Sequence, residues 1–160
     1  LVDINGTGVF IRGESGIGKS EALLELLKRG HRMVSDDAVE IYRPSEKTLF
    51  GKAPERIKDY MELRGIGIID VKHMFGVQAM RETMTLDLIV TLKEWDNYES
   101  YDRIGIETNY VDILGNQIVN YDIPVRPGRN LAVILEAAAL KRRELQMGYN
   151  SGENFLKRLP

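Results

Sequence analysis

The sequence predicts an α/β domain with a mixed β-sheet and flanking helices. Three observations predict it. Asn5-Gly6 and Gly115-Asn116 each stand between apolar, strand-like runs, and such pairs tolerate the positive φ that hairpin turns require. A glycine-rich turn, Gly13–Ser20, lies between a strand pattern and a helix pattern. Strands elsewhere alternate with helical segments, of which the Ala-rich stretch Leu131–Gln146 is the longest.

Each element follows from local pattern. Leu1–Ile4 and Thr7–Arg12 form the first hairpin, and the second strand runs straight into the glycine-rich turn. Glu21–Arg29 is helical because Ala22, Leu23, Leu26 and Leu27 share one face, with Gly30 as its stop. Met33–Ser35 and Val39–Tyr42 flank the acidic pair Asp36-Asp37. Pro44–Lys47 is a turn, and Thr48–Phe50 returns as a strand. Gly51–Tyr60 is polar, contains Pro54 and reads as a mobile loop. After the glycine-punctuated Glu62–Gly67 and the apolar step Ile68-Ile69, Asp70 caps a helix through Met80. Thr85–Leu92 is a strand and Trp95–Gly105 a polar loop. Tyr110–Leu114 and Gln117–Ile123 form the second hairpin, followed by the basic loop Pro124–Arg129. Asn130 caps the long helix, Gly148 closes it, and Ser151 begins a last short one.

Composition sets limits. A chain of 160 residues suits one domain, and with no linker, repeat or low-complexity stretch the expectation is a single domain over 1–160. Hydrophobic residues at 43% and charged residues at 29% exclude a disordered or collagenous chain. Twenty-two Lys and Arg against twenty-four Asp and Glu give a net charge of −2, without the basic excess expected of a nucleic-acid binder. The absence of Cys excludes disulfides, a thiolate zinc site and a Cys nucleophile. Apolar runs are far too short for a membrane span, and no signal peptide opens the chain. Leu1 lies inside an apparent strand, and the end at Pro160 looks cut, so the expectation is a fragment of a longer protein.

Gly13-Glu14-Ser15-Gly16-Ile17-Gly18-Lys19-Ser20 is a complete Walker A signature. Its glycines let backbone N–H groups turn inward to cradle phosphate oxygens, and the following helix points its positive end at them. Lys19 would reach the β- and γ-phosphates, and the Ser20 hydroxyl would bind Mg²⁺. A P-loop also needs a carboxylate, and Asp36-Asp37 sits where a nearby strand would end. Two adjacent acids suggest a division of labour, one holding metal-bound water and the other taking a hydroxyl proton. A glycine-rich β–α turn without ligand and a solvated acid pair are the plainer alternatives. His31 and His73 are isolated and fit surface or satisfied positions. Lys141-Arg142-Arg143 suits a helix C-terminus. Arg126 and Arg129, in a loop with Pro127 and Gly128, could bind phosphate or simply be exposed.

Together these segments resemble the catalytic domain of the HPr kinase/phosphorylase family. The matching blocks are Leu1–Ile4, Gly13–Ser20, Arg29–Arg32, Ser35–Asp37, Met61–Val71, Tyr101–Gly105, Pro124–Asn130 and Met147–Tyr149. The run Glu62-Leu63-Arg64-Gly65-Ile66-Gly67-Ile68-Ile69-Asp70-Val71 and the order of the blocks carry the specificity. The resemblance implies a P-loop kinase domain with a PEP-carboxykinase-like nucleotide-binding core. It implies a bifunctional enzyme that phosphorylates a serine of HPr, a carrier protein of the sugar phosphotransferase system, in control of carbon catabolite repression. ATP, pyrophosphate and phosphate would be substrates and Mg²⁺ the cofactor. Residue by residue, Gly13–Ser20 would bind ATP or pyrophosphate, with Lys19 catalytic. Asp37 would accept the serine proton and donate it in reverse, Arg103 would be catalytic, and Glu62 would hold Mg²⁺ beside Ser20. Met61–Asp70 would be a signature loop for both directions, and the loop Pro124, Val125, Arg126, Pro127, Gly128 and Arg129 would serve dephosphorylation. The resemblance further implies a bacterial cytoplasmic protein, a hexamer, and an upstream histidine and N-terminal domain that this chain lacks. No nucleic acid or membrane partner is expected.

Two rivals stay open. Another P-loop kinase with a small-molecule substrate would need an arginine-bearing lid, and only the short loops Gly51–Tyr60 and Trp95–Gly105 are available. A non-catalytic nucleotide switch would need no base, against which Asp36-Asp37 argues.

Overall fold

Alternation along the first hairpin sets the layers. In a computed structural model that describes residues 1–96, 104–105 and 107–160, strands β1 (Val2–Ile4) and β2 (Thr7–Arg12) pair antiparallel around Asn5-Gly6. Both turn residues have positive φ, as a two-residue hairpin requires. Successive side chains of a strand point to opposite faces. Val9 therefore joins one hydrophobic cluster and its neighbour Phe10 the other.

The larger cluster lies under helices α1 (Lys19–Lys28) and α3 (Leu131–Gln146), where Leu26 and Leu135 are fully buried. The smaller cluster fills the opposite face with Leu1, Val34, Leu49, Met84 and Leu86. It is covered by a three-stranded antiparallel sheet of β4 (Glu40–Ser45), β5 (Thr48–Lys52) and β8 (Thr83–Thr85). The main sheet is mixed, as expected. With β3 (Arg32–Met33), β9 (Leu88–Glu94), β10 (Asn109–Ile113) and β11 (Asn116–Val125), its order is β10-β11-β9-β2-β1-β3. Strands β2, β9 and β11 are parallel neighbours, and the outer pairs are antiparallel. A separate hairpin of β6 (Tyr60–Leu63) and β7 (Gly67–Asp70) leads into helix α2 (Val71–Phe75), and α4 (Ser151–Leu156) closes the chain.

The helix caps match the sequence. Asp70, Asn130 and Asn150 each accept from the backbone N–H three residues on. His31 is a satisfied histidine: buried, its Nε2 stands 2.7 Å from Glu136 Oε2 and so ties α1 to α3. The same Glu136 accepts from Arg29 at 2.8 Å, and these hydrogen bonds, Arg29's first, hold its carboxyl below the usual range.

Four expectations need correction. The helix after Asp70 stops at Phe75, because Gly76 has φ 96° and ψ 165°, outside helical space. Beyond a 3₁₀ turn at Val77–Ala79, the backbone is drawn to the edge of β3, where Arg81 N donates to Met33 O at 2.9 Å. The expected strand Thr85–Leu92 is two strands in different sheets, with the chain crossing over at Leu86-Asp87. The polar stretch expected as one loop lends Gly51-Lys52 to β5 and Tyr60 to β6. The second hairpin turns at Leu114-Gly115, both at positive φ, with Ile113 opposite Asn116. Asp112 Oδ1 fixes that register by accepting from Gly115 N at 3.0 Å.

The crossover at Leu86-Asp87 is sealed against Gly8. Asp87 N donates to Gly8 O at 2.9 Å and Gly8 N donates to Asp87 Oδ2 at 2.8 Å. A methyl group on Gly8 would stand 1.7 Å from the Thr85 carbonyl oxygen, a contact that only backbone movement relieves. Gly8→Ala should therefore destabilise the fold by about 3 kcal/mol or more, within the overpacking range for a site that cannot yield. The midpoint of urea unfolding checks this, and an unchanged midpoint would show that the two sheets separate easily here.

Candidate functional site

Strand β2 ends at Arg12, and the chain turns through Gly13–Gly18 into α1. Gly16 and Gly18 have φ of 86° and 111°, values that L side chains resist, so glycine is required at both. Gly13 is required for room, since a Cβ there would stand 2.9 Å from Leu92 O. No side chain caps α1, which leaves its first N–H groups facing the cleft. Lys19 folds back over the loop: its Nζ donates to Gly13 O and, at 3.2 Å, to Glu14 O.

The acid pair rides on a closed turn. Ser35 is buried, and its Oγ donates to Ala38 O, bracketing Asp36 and Asp37. Strand β3, which precedes them, is antiparallel to β1 and so runs with β2, one strand removed. The P-loop and the acids thus emerge at the same edge of the sheet. Asp36 and Asp37 then divide. Asp36 Oδ1 accepts from Ser20 Oγ at 2.9 Å, and its Oδ2 accepts from Glu62 N at 3.0 Å. Asp37 is exposed, lines the cleft and has no side-chain hydrogen bond or ion pair among the described residues.

The stretch Met61–Asp70 is the hairpin β6–β7, and its residues part by face. Met61, Leu63 and Ile69 are buried in the larger cluster, and Asp70 caps α2. Glu62 and Arg64 line the cleft, Gly65 and Gly67 take positive φ at the turn, and Ile66 and Ile68 are exposed. The cleft holds about 630 Å³ and brings together Gly13, Lys19, Ser20, Asp37, Glu62 and Arg64. That volume suits a small ligand such as a nucleotide.

Of the expected loop Pro124–Arg129, Pro124 and Val125 instead pair with β9 as the end of β11, and only Arg126–Arg129 form a loop, which does not line this cleft. Its arginines share one aromatic ring: the guanidinium carbon of Arg126 stands 4.6 Å from the Trp95 ring centroid, and that of Arg129 stands 5.9 Å. Such contacts orient a cation over the ring face. Trp95 N also donates to Val125 O at 3.0 Å, and Arg129 Nη1 donates to Pro124 O at 2.8 Å. Sequence reasoning gave Trp95 no role; as the sole Trp, beside a basic loop, it was the available signal. Arg103 lies outside the described residues.

A Mg²⁺ ion fits the donor set. Among the described residues no cluster of three or more metal-type ligands exists. Mg²⁺ bound with nucleotides needs none, because it keeps water and phosphate oxygens and takes one or two protein ligands. Ser20 Oγ and the Glu62 carboxylate, hard oxygen donors facing one cleft, could supply them.

An open-helix P-loop after a parallel strand, with a lysine on the loop and acids at the same sheet edge, defines a phosphate-binding P-loop domain of the α/β class. Comparison with known proteins makes this specific. The family model described as HPr Serine kinase C-terminal domain matches residues 1–159. The HPr kinase/phosphorylase of Lachnoclostridium phytofermentans is 54% identical over 159 residues, covering 99% of this chain and 52% of that protein. That of Thermoanaerobacter pseudethanolicus is 53% identical with the same coverage of 99% and 52%. The solved structure of the Hpr(Ser) kinase/phosphatase from Coxiella burnetii matches with a TM-score of 0.85 at 33% identity, over 96% of this chain and 93% of that one. The chain belongs to the HPr serine kinase C-terminal domain family. It spans about half the length of the curated relatives it matches. Among the described residues no helix is long and apolar enough to cross a membrane.

Asp36 joins the P-loop to the hairpin, and this is testable. Asp36→Ala leaves the Ser20 hydroxyl and the Glu62 N–H without their acceptor. Stability should fall by about 1–3 kcal/mol. Amide exchange at Glu62 should accelerate while that of the buried strand β9 keeps its protection relative to global unfolding. Hydrogen exchange resolved by residue is the measurement, and unaltered exchange at Glu62 would show that the bond does not hold the hairpin.

Proposed function

We propose that residues 1–160 form one catalytic domain that carries out the phosphoryl-transfer chemistry of an HPr kinase/phosphorylase. ATP or pyrophosphate would phosphorylate a serine of HPr, and inorganic phosphate would remove that group again. The observation that carries this reading is Asp37: a carboxylate with no side-chain partner among the described residues, in the same cleft as Lys19 and Ser20. A structural acid would be engaged, as Asp36 is; a non-catalytic switch would not need a second one. The names of the relatives supply the acceptor.

In the forward direction the P-loop amides and Lys19 bind the phosphates, and Asp37 takes the proton as the serine oxygen attacks the terminal phosphorus. ADP or phosphate leaves. In reverse, an oxygen of free phosphate attacks the phosphorus of phosphoserine, pyrophosphate forms, and the departing serine oxygen recovers its proton from Asp37. Mg²⁺, held by Ser20 and Glu62, would offset the phosphate charge. Arg103 joins this scheme through the family resemblance.

The test is to incubate the chain with ATP, Mg²⁺ and HPr beside a panel of small hydroxyl acceptors, and to repeat it with Asp37→Asn. HPr should be labelled in preference to the small acceptors. Asp37→Asn should keep nucleotide affinity and lose about 10²-fold or more in turnover, the usual contribution of a general base. Equal losses of affinity and turnover would make Asp37 a ligand rather than a base.

The loop Pro124–Arg129 separates the two directions on this reading. A phosphate in ATP arrives tethered, whereas free phosphate needs cationic donors of its own, each worth about 1.5–3 kcal/mol when charge-assisted. Replacing Arg126 and Arg129 with Ala should cut phosphorolysis of phospho-HPr by about tenfold or more, and ATP-dependent phosphorylation clearly less. The ratio of the two initial rates in mutant and parent decides, and an unchanged ratio would remove the loop from the reaction.

A further inference from the structure

Two cations line the P-loop cleft, Lys19 and Arg64, and the P-loop signature explains only the first. The register of β6–β7 sets Leu63 opposite Gly67, so Arg64, Gly65 and Ile66 form the turn. Ile66 N closes it by donating to Leu63 O at 3.0 Å. Side chains alternate along β6: Met61 and Leu63 anchor in the core, which turns Glu62 and Arg64 to the opposite side, toward the cleft. The Arg64 guanidinium lies directly above the phosphate loop. A methyl group on Gly16 would stand 3.5 Å from Arg64 Nη1 and 3.7 Å from Nη2.

What makes the position informative is the absence of a partner. Asp36, Asp37 and Glu62 line the same cleft, yet Arg64 pairs with none of them among the described residues. Arg29 and Arg81 behave differently, holding Glu136 and Asp3 at 2.6 and 2.8 Å. The backbone of the adjoining Glu62 is fixed to Asp36, and through it to Ser20, so the turn is tethered while its guanidinium stays open.

We propose that Arg64 binds the phosphate chain seated in the P-loop from across the cleft, gripping non-bridging oxygens with its planar fork. The ligand class is a metal-bound pyrophosphate unit, free or as part of a nucleoside triphosphate. Lys19 approaches the same anion from the loop side, so the chain is held between two cations of different geometry. The inference rests on the phosphoryl-transfer reading for its consequence in turnover, but not for the binding itself.

The experiment measures Mg²⁺–pyrophosphate affinity by calorimetry, and phosphoryl transfer to HPr in parallel. It compares the parent chain with Arg64→Ala, Arg64→Lys and Arg56→Ala. Arg64 is exposed, so all should fold, and thermal unfolding verifies it. Arg64→Ala should weaken pyrophosphate binding about tenfold or more, one charge-assisted contact's worth. Arg64→Lys should recover only part, because lysine keeps the charge without the fork. Added guanidinium should restore affinity to Arg64→Ala, which a merely structural role would not allow. Arg56→Ala, which removes the same charge at an exposed position that does not line the cleft, should bind as the parent does. Binding by Arg64→Ala within about twofold of the parent overturns the proposal, as does an equal loss in Arg56→Ala or a parent that binds no pyrophosphate. A parent that binds pyrophosphate through Arg64 but leaves HPr unmodified overturns the proposed function and upholds the contact.

Discussion

The geometry of the cleft depends on one carboxylate. Asp36 uses one oxygen for the Ser20 hydroxyl and the other for the Glu62 amide, so it ties the first turn of α1 to the β6–β7 hairpin through the end of β3. These segments are distant in sequence and belong to different sheets. A hydrogen bond to a charged acceptor contributes about 1.5–3 kcal/mol, and two on one carboxylate restrict rotation as well as separation. The arrangement leaves Asp37, the next residue, turned into the cleft. Both acids sit on the bend that the Ser35 hydroxyl closes onto Ala38 O, and committing Asp36 to structure leaves Asp37 available to a ligand.

The scaffold makes that bridge possible. Strands β2 and β3 run in the same direction with β1 between them, so their C-terminal ends share a sheet edge. The hairpin reaches the same edge because Met61, Leu63 and Ile69 insert into the cluster beneath α1 and α3. Its position is therefore set by apolar burial and its final placement by Asp36. Helix α1 is in turn tied to α3 through the hydrogen bonds that Arg29 and His31 make with Glu136. Burial supplies most of the stability, and polar links choose among arrangements of similar burial.

Much of this was legible in the sequence where the signal is local. Asn5-Gly6, the eight-residue phosphate loop, the apolar face of α1 and the Asn130 cap each act within a few residues and are found where expected. Features set by distant contacts were not legible. The break at Leu86-Asp87 answers to Gly8 and Leu49, and the course of the chain beyond Gly76 to the hydrogen bond from Arg81 N to Met33 O. The division between Asp36 and Asp37 could be anticipated as a division but not assigned by pattern, since Ser20 and Glu62 decide it. Trp95 is the clearest omission: its meaning comes from Arg126 and Arg129, some thirty residues on, which meet it through the parallel pairing of β9 and β11. The hairpin β6–β7 was visible only as glycine punctuation, because its alternation is short and its register depends on what it packs against.

Charge distinguishes the P-loop cleft from the hollow beside Trp95. The P-loop cleft is lined by Glu21, Asp36, Asp37 and Glu62 against Lys19 and Arg64, an acidic excess that the chain's overall charge of −2 does not relieve. A bare phosphate entering there meets more carboxylates than cations, so the P-loop amides and helix dipole alone must favour it. A divalent cation arriving with the anion reverses that balance, since the acids then stabilise the metal as the loop stabilises the phosphates. The hollow beside Trp95 differs: among the described residues it is lined by Trp95, Arg126, Pro127, Gly128 and Arg129. On the proposed reading, a free dianion there would meet two guanidiniums already oriented by one ring. The contrast fits the proposed reaction, whose two directions would draw on different phosphate species. A metal-bound polyphosphate suits the acid-rich cleft, and an incoming free phosphate suits the arginine loop.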